Sequence, residues 1–114
     1  MAALEQKNVK CAIMQGMTIS KTQDGSAATL SVEGRVDTVT APQLEQEIQA
    51  AQDAQSLTVN LKGLEYISSA GLRVLLSAHK AFSKKGGLTI ENPNDSVMEI
   101  FEVTGFKDIL NIKA

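Results

Sequence analysis

The chain is short of most residues that carry ready-made chemistry. It has one cysteine, one histidine, two prolines and no tryptophan in 114 residues, and aromatics make up 4%. A lone cysteine, Cys11, closes no internal disulfide and builds no zinc site, so a reducing, cytoplasmic setting is expected. No apolar run approaches the roughly 18 residues a membrane span needs. The opening Met1-Ala-Ala-Leu-Glu-Gln-Lys lacks the apolar stretch of a secretory signal. Neither sign of charge dominates: 11 Lys and Arg stand against 13 Asp and Glu, a net charge of −2. With no basic stripe, nucleic acid is not expected as a partner. Lys84-Lys85, the only adjacent basic pair, reads as a solvated helix end.

What is present is an ordinary globular composition, with 43% apolar and 21% charged residues. A chain of this length buries roughly 65% of the surface its unfolded form exposes. With aromatics scarce, that core must be made of Leu, Ile, Val and Ala. Met17 to Ser20 and Ala28 to Glu33 alternate with period two, and Gln23-Asp24-Gly25-Ser26 between them is turn chemistry, so the pair predicts a hairpin. Val9 to Met14 is apolar enough for an extra edge strand. Because Met17 opens the first clear strand, residues 1–16 are expected to be an N-terminal extension, or translation to start at Met17, with the domain proper over 17–114.

Past Gly34 the period changes. Thr40-Ala41-Pro42-Gln43 offers an N-cap hydroxyl, a first-turn Pro and a Gln at the capping-box position, and Leu44, Ile48 and Ala51 follow as one stripe. Leu57, Val59 and Leu61 alternate as a strand. A loop over Lys62 to Ile67 then leads into a helix from Ser68-Ser69-Ala70-Gly71, with Leu72, Leu75, Leu76, His79 and Phe82 on its apolar face, Val74, Ala78 and Ala81 flanking it, and Gly86-Gly87 at its end. Leu88 to Glu91 is a further strand, and Asn92-Pro93-Asn94-Asp95 turns into a helix showing Val97, Ile100, Phe101 and Thr104 before Gly105. Phe106, Ile109, Leu110 and Ile112 form an apolar tail that needs cover. The predicted order is β-β-α-β-α-β-α plus tail, a small α/β domain with a mixed sheet.

Catalytic signatures are missing. Neither a G-x-x-x-x-G-K-[ST] nor a G-x-G-x-x-G is written here, so no nucleotide or dinucleotide cofactor is expected. Carboxylates are dispersed, which gives no support to a metal site or to paired acid–base catalysis. His79, on the apolar side of its helix, reads as a hydrogen-bonded core or boundary histidine. The G-x-S-x-G elbow that would make a serine hydrolase plausible is absent. Cys11 reads as a small hydrophobe. The reading is therefore a non-enzyme.

The informative stretch is Tyr66-Ile67-Ser68-Ser69-Ala70-Gly71-Leu72, which joins a strand region to the first turn of a helix. Free N–H groups and the positive dipole end face outward there. Two readings are open. Serine is a preferred N-cap, but a cap needs only one of the two. Gly71 costs about 1 kcal/mol of helix propensity relative to Ala, which is more easily understood if another chain's backbone approaches closely, on a binding or modified surface.

The run Leu57 to Leu76, with Ser68-Ser69-Ala70-Gly71-Leu72 at its helix start, resembles the signature of STAS domains of the bacterial anti-sigma factor antagonist type. Gly34-Arg35-Val36-Asp37 with Thr40-Ala41-Pro42-Gln43-Leu44 resembles that family's first strand–helix junction, and Gly86-Gly87-Leu88 and Gly105-Phe106 fall where it places its last strand and helix. The resemblance covers about residues 17–112. It implies a mixed sheet with helices on one face, and it implies partner switching. The unphosphorylated antagonist would bind an anti-sigma factor that is a serine kinase and so free the sigma factor. Phosphorylation from ATP would release it, and a metal-dependent serine phosphatase would reset it. Position by position, the phosphoserine falls on Ser69. Ser68 and Asn60 stand where the family commonly has acidic residues, which makes Ser68 a second candidate. The expected partner surface is Asp37 and Thr38 with Ser68, Ser69, Ala70, Gly71, Leu72 and Arg73. The alternative implied by the same resemblance is a non-switching STAS scaffold or subunit-binding module.

Overall fold

A computed structural model describes residues 10–14 and 16–113. In chain order the elements are β1 (Lys10–Met14), β2 (Met17–Asp24), β3 (Ala27–Val36), α1 (Ala41–Ala50), β4 (Ser56–Asn60), β5 (Leu64–Ile67), α2 (Ser69–Phe82), β6 (Gly87–Glu91), α3 (Asp95–Thr104), a 3-10 turn (Phe106–Asp108) and β7 (Asn111–Lys113). The predicted hairpin is β2–β3, with Asp24 opposite Ala27 across a two-residue loop. The edge strand that Val9 to Met14 allowed is β1, antiparallel to β2. What was expected of residues 1–9 lies outside the described residues.

The seven strands form one mixed sheet in the order β1-β2-β3-β4-β6-β7, with β5 beside β3. On its side away from β2, β3 serves two neighbours: Ala27 to Ser31 pair in parallel with β4, and Gly34 to Val36 pair in parallel with β5. The handover is at Gly34, where the register shifts. Gly34 has φ +92°, and a side chain there would lie 1.9 Å from the Gly16 carbonyl oxygen. Only glycine fits that bend.

Alternation sorts the sheet into two faces. Ile19, Leu30, Val32, Leu57, Val59, Leu88 and Ile90 point into one buried cluster with Leu44 and Ile48 of α1, Leu72, Leu75 and Phe82 of α2, and Val97 and Phe101 of α3. On the other face Thr18, Ser20, Thr29, Ser31, Thr58 and Thr89 are only partly covered. The helices thus lie on one face, as the family resemblance implied.

Several expectations are corrected. Lys62 to Ile67 is not all loop, because Leu64–Ile67 is strand β5. Its burial runs buried-exposed-exposed-buried, so no alternation announces it, and it exists through non-local pairing with β3. The apolar tail ends as strand β7, which sets Ile112 opposite Ile90. On α2 the buried face takes in Val74 and Ala78, while Leu76 and His79 are only half-buried. Lys85 is no free surface cation. Its ammonium donates to the carbonyls of Ala54, at 2.8 Å, and Gln52, and lies 4.6 Å above the Phe82 ring.

The start of α1 also differs from its expected form. The Thr40 side chain caps no helical N–H, and Gln43 donates to Glu47 instead of reaching back. Asp37 does the capping. Its Oδ1 accepts from the N–H of Val39 at 2.9 Å and of Thr40 at 3.0 Å, while Thr40 Oγ1 accepts from the Asp37 N–H at 2.9 Å. This is a capping box whose reciprocal member is a threonine. Buried Thr40 also donates from Oγ1 to the Arg35 carbonyl at 3.0 Å, which ties the helix start to the end of β3. The Thr40 N–H is the main reason the Asp37 carboxyl sits below its ordinary 3.8; the Val39 N–H, the Thr40 hydroxyl and nearby Arg35 add to it, against an opposing desolvation.

At the start of α2 the close approach inferred from Gly71 is internal. A Cβ at residue 71 would lie 2.6 Å from Val36 Cγ1 and 2.7 Å from Ile67 Cγ1. The glycine lets α2 rest on the ends of β3 and β5, so no second chain is needed to explain it.

Two predictions arise here. Gly71→Ala should lose about 1–3 kcal/mol through overpacking despite its better helix propensity. In urea titrations, a double-mutant cycle with Val36→Ala should show coupling between the two positions. For Asp37, a lowered folded-state pKa means its charge stabilises the fold above the unfolded value near 3.8 and stops doing so as pH falls through the folded value. Thermal melts across pH should therefore show wild type ahead of Asp37→Asn at neutral pH, with the gap closing only below about pH 3.8.

Candidate functional site

The two helix starts meet at the carboxyl ends of β3 and β5. The Ser68 N–H donates to the Val36 carbonyl at 2.8 Å, one residue before Asp37. Ser68 is extended (φ −89°, ψ 175°), and its Oγ accepts from the Gly71 N–H at 3.4 Å. Its carbonyl receives the Leu72 N–H at 2.9 Å. Ser68 is thus the N-cap of α2, half-buried and occupied. Ser69 is the first helical residue. It is exposed, and its hydroxyl has no hydrogen-bond partner among the described residues.

The first turn of α2 carries no acidic residue. Its outward N–H groups and dipole therefore keep their positive character, whereas α1 has its own carboxylate, Asp37, at the corresponding place. An anion added at Ser69 is electrostatically welcome to the domain itself.

A groove of about 230 Å³ runs from this corner between the two helices, lined by Thr38, Pro42 and Glu45 on one side and Ala70, Arg73 and Ser77 on the other. The structure therefore brings Thr38, Ala70 and Arg73 together, with Asp37, Ser68 and Ser69 adjoining them in the chain. Gly71 and Leu72 of the expected partner surface are buried against the sheet and do not face outward. They hold the surface in place.

Two exposed residues at this corner were not part of the expected partner surface. Val39 is 54% exposed in the turn after the Asp37 cap, and Tyr66 is 38% exposed just ahead of Ser68. The Arg35 guanidinium lies 4.8 Å from the centre of the Tyr66 ring, since register pairs Arg35 with Tyr66. An isolated Val inside polar turn chemistry was the available signal for Val39. Tyr66 stood at the head of the informative stretch, but its exposure depends on the pairing of β5 with β3.

His79 is far from this corner. It lies ten residues along α2 from Ser69, about 15 Å at the helical rise. It is half-buried, as a boundary histidine would be, but its Nδ1 is buried without a hydrogen-bond partner among the described residues, so the bond expected of it is not made at that atom. Among the described residues no cluster of three or more His, Cys, Asp or Glu is placed to hold a metal ion. None of the described helices is long and apolar enough to cross a membrane. At this corner the Ser69 hydroxyl is exposed, and none of the described residues is hydrogen-bonded to it.

Comparison with known proteins accords with this geometry. Residues 19–111 match the family model described as "Mlab, STAS domain". The anti-sigma-B factor antagonist of Bacillus subtilis (strain 168) is 32% identical over 94 residues, covering 81% of this chain and 86% of that protein. The crystal structure of an anti-sigma factor antagonist from Mycobacterium paratuberculosis superposes with a TM-score of 0.77 at 26% identity, over 84% of each chain. The Bacillus cell fate determinant SpoIIAA in its phosphorylated form shares the fold, with a TM-score of 0.61 at 14% identity over 93% of this chain and 91% of that one. The family-model match over residues 19–111, with the 32% identical relative beside it, places the chain in the STAS domain family.

Proposed function

We propose that this protein is an anti-sigma factor antagonist that works by partner switching, with Ser69 as the switch residue. One observation carries the reading: of two adjacent serines, Ser68 is occupied as the helix cap and Ser69 stands exposed and unbonded beside it. The relatives named as anti-sigma factor antagonists support the general role. In the unmodified state the corner formed by Thr38, Ser69, Ala70 and Arg73 docks on an anti-sigma factor that is also a serine kinase, and the sigma factor is released. The kinase transfers the γ-phosphoryl group of ATP to Ser69 Oγ, and the complex separates. A metal-dependent serine phosphatase restores the hydroxyl.

The physics is that of an added charge at a packed surface. Phosphorylation brings about −1.5 to −2 charges and three strong acceptor oxygens. The α2 terminus accommodates them, so the antagonist stays folded. A partner surface shaped around a neutral hydroxyl does not, through desolvation and repulsion. A loss of roughly 3–4 kcal/mol weakens binding by several hundredfold, which suffices to exchange partners. Ser68 is the less accessible acceptor, because it is half-buried with its Oγ turned in toward the Gly71 N–H.

Titration calorimetry against the kinase-type anti-sigma factor of the source organism tests this. Ser69→Ala should bind like the unmodified wild type and resist release by ATP, and Ser69→Asp should bind at least tenfold more weakly. Mass spectrometry after incubation with kinase and ATP should place the phosphate on Ser69. Phosphate found only at another residue, or equal affinity of modified and unmodified chains, would overturn the reading; the latter would favour a non-switching scaffold.

A further inference from the structure

We propose that Arg73 is an internal clamp for the phosphorylated state: once Ser69 carries its phosphoryl group, the Arg73 guanidinium one turn along α2 pairs with it. The inference rests on the reading of Ser69 as the modified residue and adds what becomes of the charge afterwards.

The argument begins with spacing. Ser69 and Arg73 are four residues apart on α2, and positions i and i+4 are surface neighbours with Cβ atoms about 5–6 Å apart. Helical side chains lean toward the N-terminus, so a side chain as long as that of Arg73 is able to reach the turn that holds Ser69. Arg73 is also available. It is exposed, and among the described residues it has no hydrogen bond or ion pair, although Glu45 lines the same groove. The other cation of this corner, Arg35, is stacked on Tyr66. The side chains flanking it along β3, Val32 and Val36, point into the core, and alternation leaves Arg35 on the face opposite α2.

Chemistry favours the pairing. A guanidinium offers parallel N–H donors in a fork that matches two phosphate oxygens, and such charge-assisted bonds are among the stronger ones. Phosphoryl transfer forms the Oγ–P bond, breaks the bond between the γ-phosphorus and its bridging oxygen, releases the nucleoside diphosphate and sends the hydroxyl proton to a base of the kinase. The product is a dianion at neutral pH, seated between the first-turn N–H groups of α2 and Arg73. Phosphorylation therefore acts twice on the docking corner: a negative group appears, and the cation that stands unengaged there among the described residues is withdrawn from the partner.

The test uses the full chain with phosphoserine placed at residue 69 by genetic code expansion, so it needs no kinase. The second ionisation of the phosphate, ordinarily near pH 6, is followed by phosphorus NMR. A clamped dianion loses its last proton more readily, so the value should rise by about 0.3 unit or more in Arg73→Ala and be largely restored in Arg73→Lys. Arg35→Ala should leave it unchanged. Equal titration of wild type and Arg73→Ala, or a larger change in Arg35→Ala, overturns the clamp. A chain that shows the shift yet takes no phosphate at Ser69 from its kinase sinks the functional reading alone. One that takes the phosphate but titrates the same without Arg73 sinks the clamp alone.

Discussion

The contact on which the site depends is the seating of Gly71 against Val36 and Ile67. With a Cβ at 2.6 Å and 2.7 Å from those side chains, α2 would have to lift or tilt away from the strand ends. Without it, the first turn lies directly on β3 and β5, close enough for the Ser68 N–H to reach the Val36 carbonyl. The helix-propensity penalty of an early glycine, about 1 kcal/mol, is offset by a packed and capped terminus. That seating decides which serine is inside the structure and which is outside.

The same strand end also launches α1. Arg35, Val36 and Asp37 follow one another, and each serves a different neighbour: Arg35 gives its carbonyl to the Thr40 hydroxyl, Val36 gives its carbonyl to Ser68, and Asp37 caps the turn that follows. Two helix termini are thereby anchored within three residues of one strand, and the groove between the helices inherits their rigidity. Ligand sites in parallel α/β sheets favour the carboxyl ends of strands for this reason, since helix N-termini collect there. The two termini differ in charge. Asp37 answers the dipole of α1 from within the chain, and α2 has no such residue. The proposed switch therefore adds charge where the fold has left room for it, and neither the core nor the sheet register has to change.

Much of this was legible in the residues. Period-two alternation located β2, β3, β4 and β6, and the 3.6 spacing located the three α-helices found among the described residues, because both patterns record which side chains face a common core. The serine pair was legible as a helix start, since N-capping is local chemistry. The true cap of α1 was harder. Thr40 looks like the cap and Asp37 like the strand end, and only the path of the backbone after β3 shows the carboxylate closing on Val39 and Thr40. Strands β5 and β7 were missed, each being short and held by partners far away in the chain. Lys85 was misjudged for a related reason: its pairing with the carbonyls after α1 joins segments some thirty residues apart.

Periodicity, capping chemistry and a resemblance to the STAS family determined, from the amino-acid order alone, the order of the longer strands and helices, the fold class and the candidate serine. These are properties of neighbours within a turn or a strand, so they survive without coordinates. Which serine is spent as the cap, why residue 71 must be glycine, and which members of the expected surface are reachable were decided only by tertiary structure. Each depends on how α2 meets strands β3 and β5, and no local pattern encodes the distance between side chains brought together from different parts of the chain.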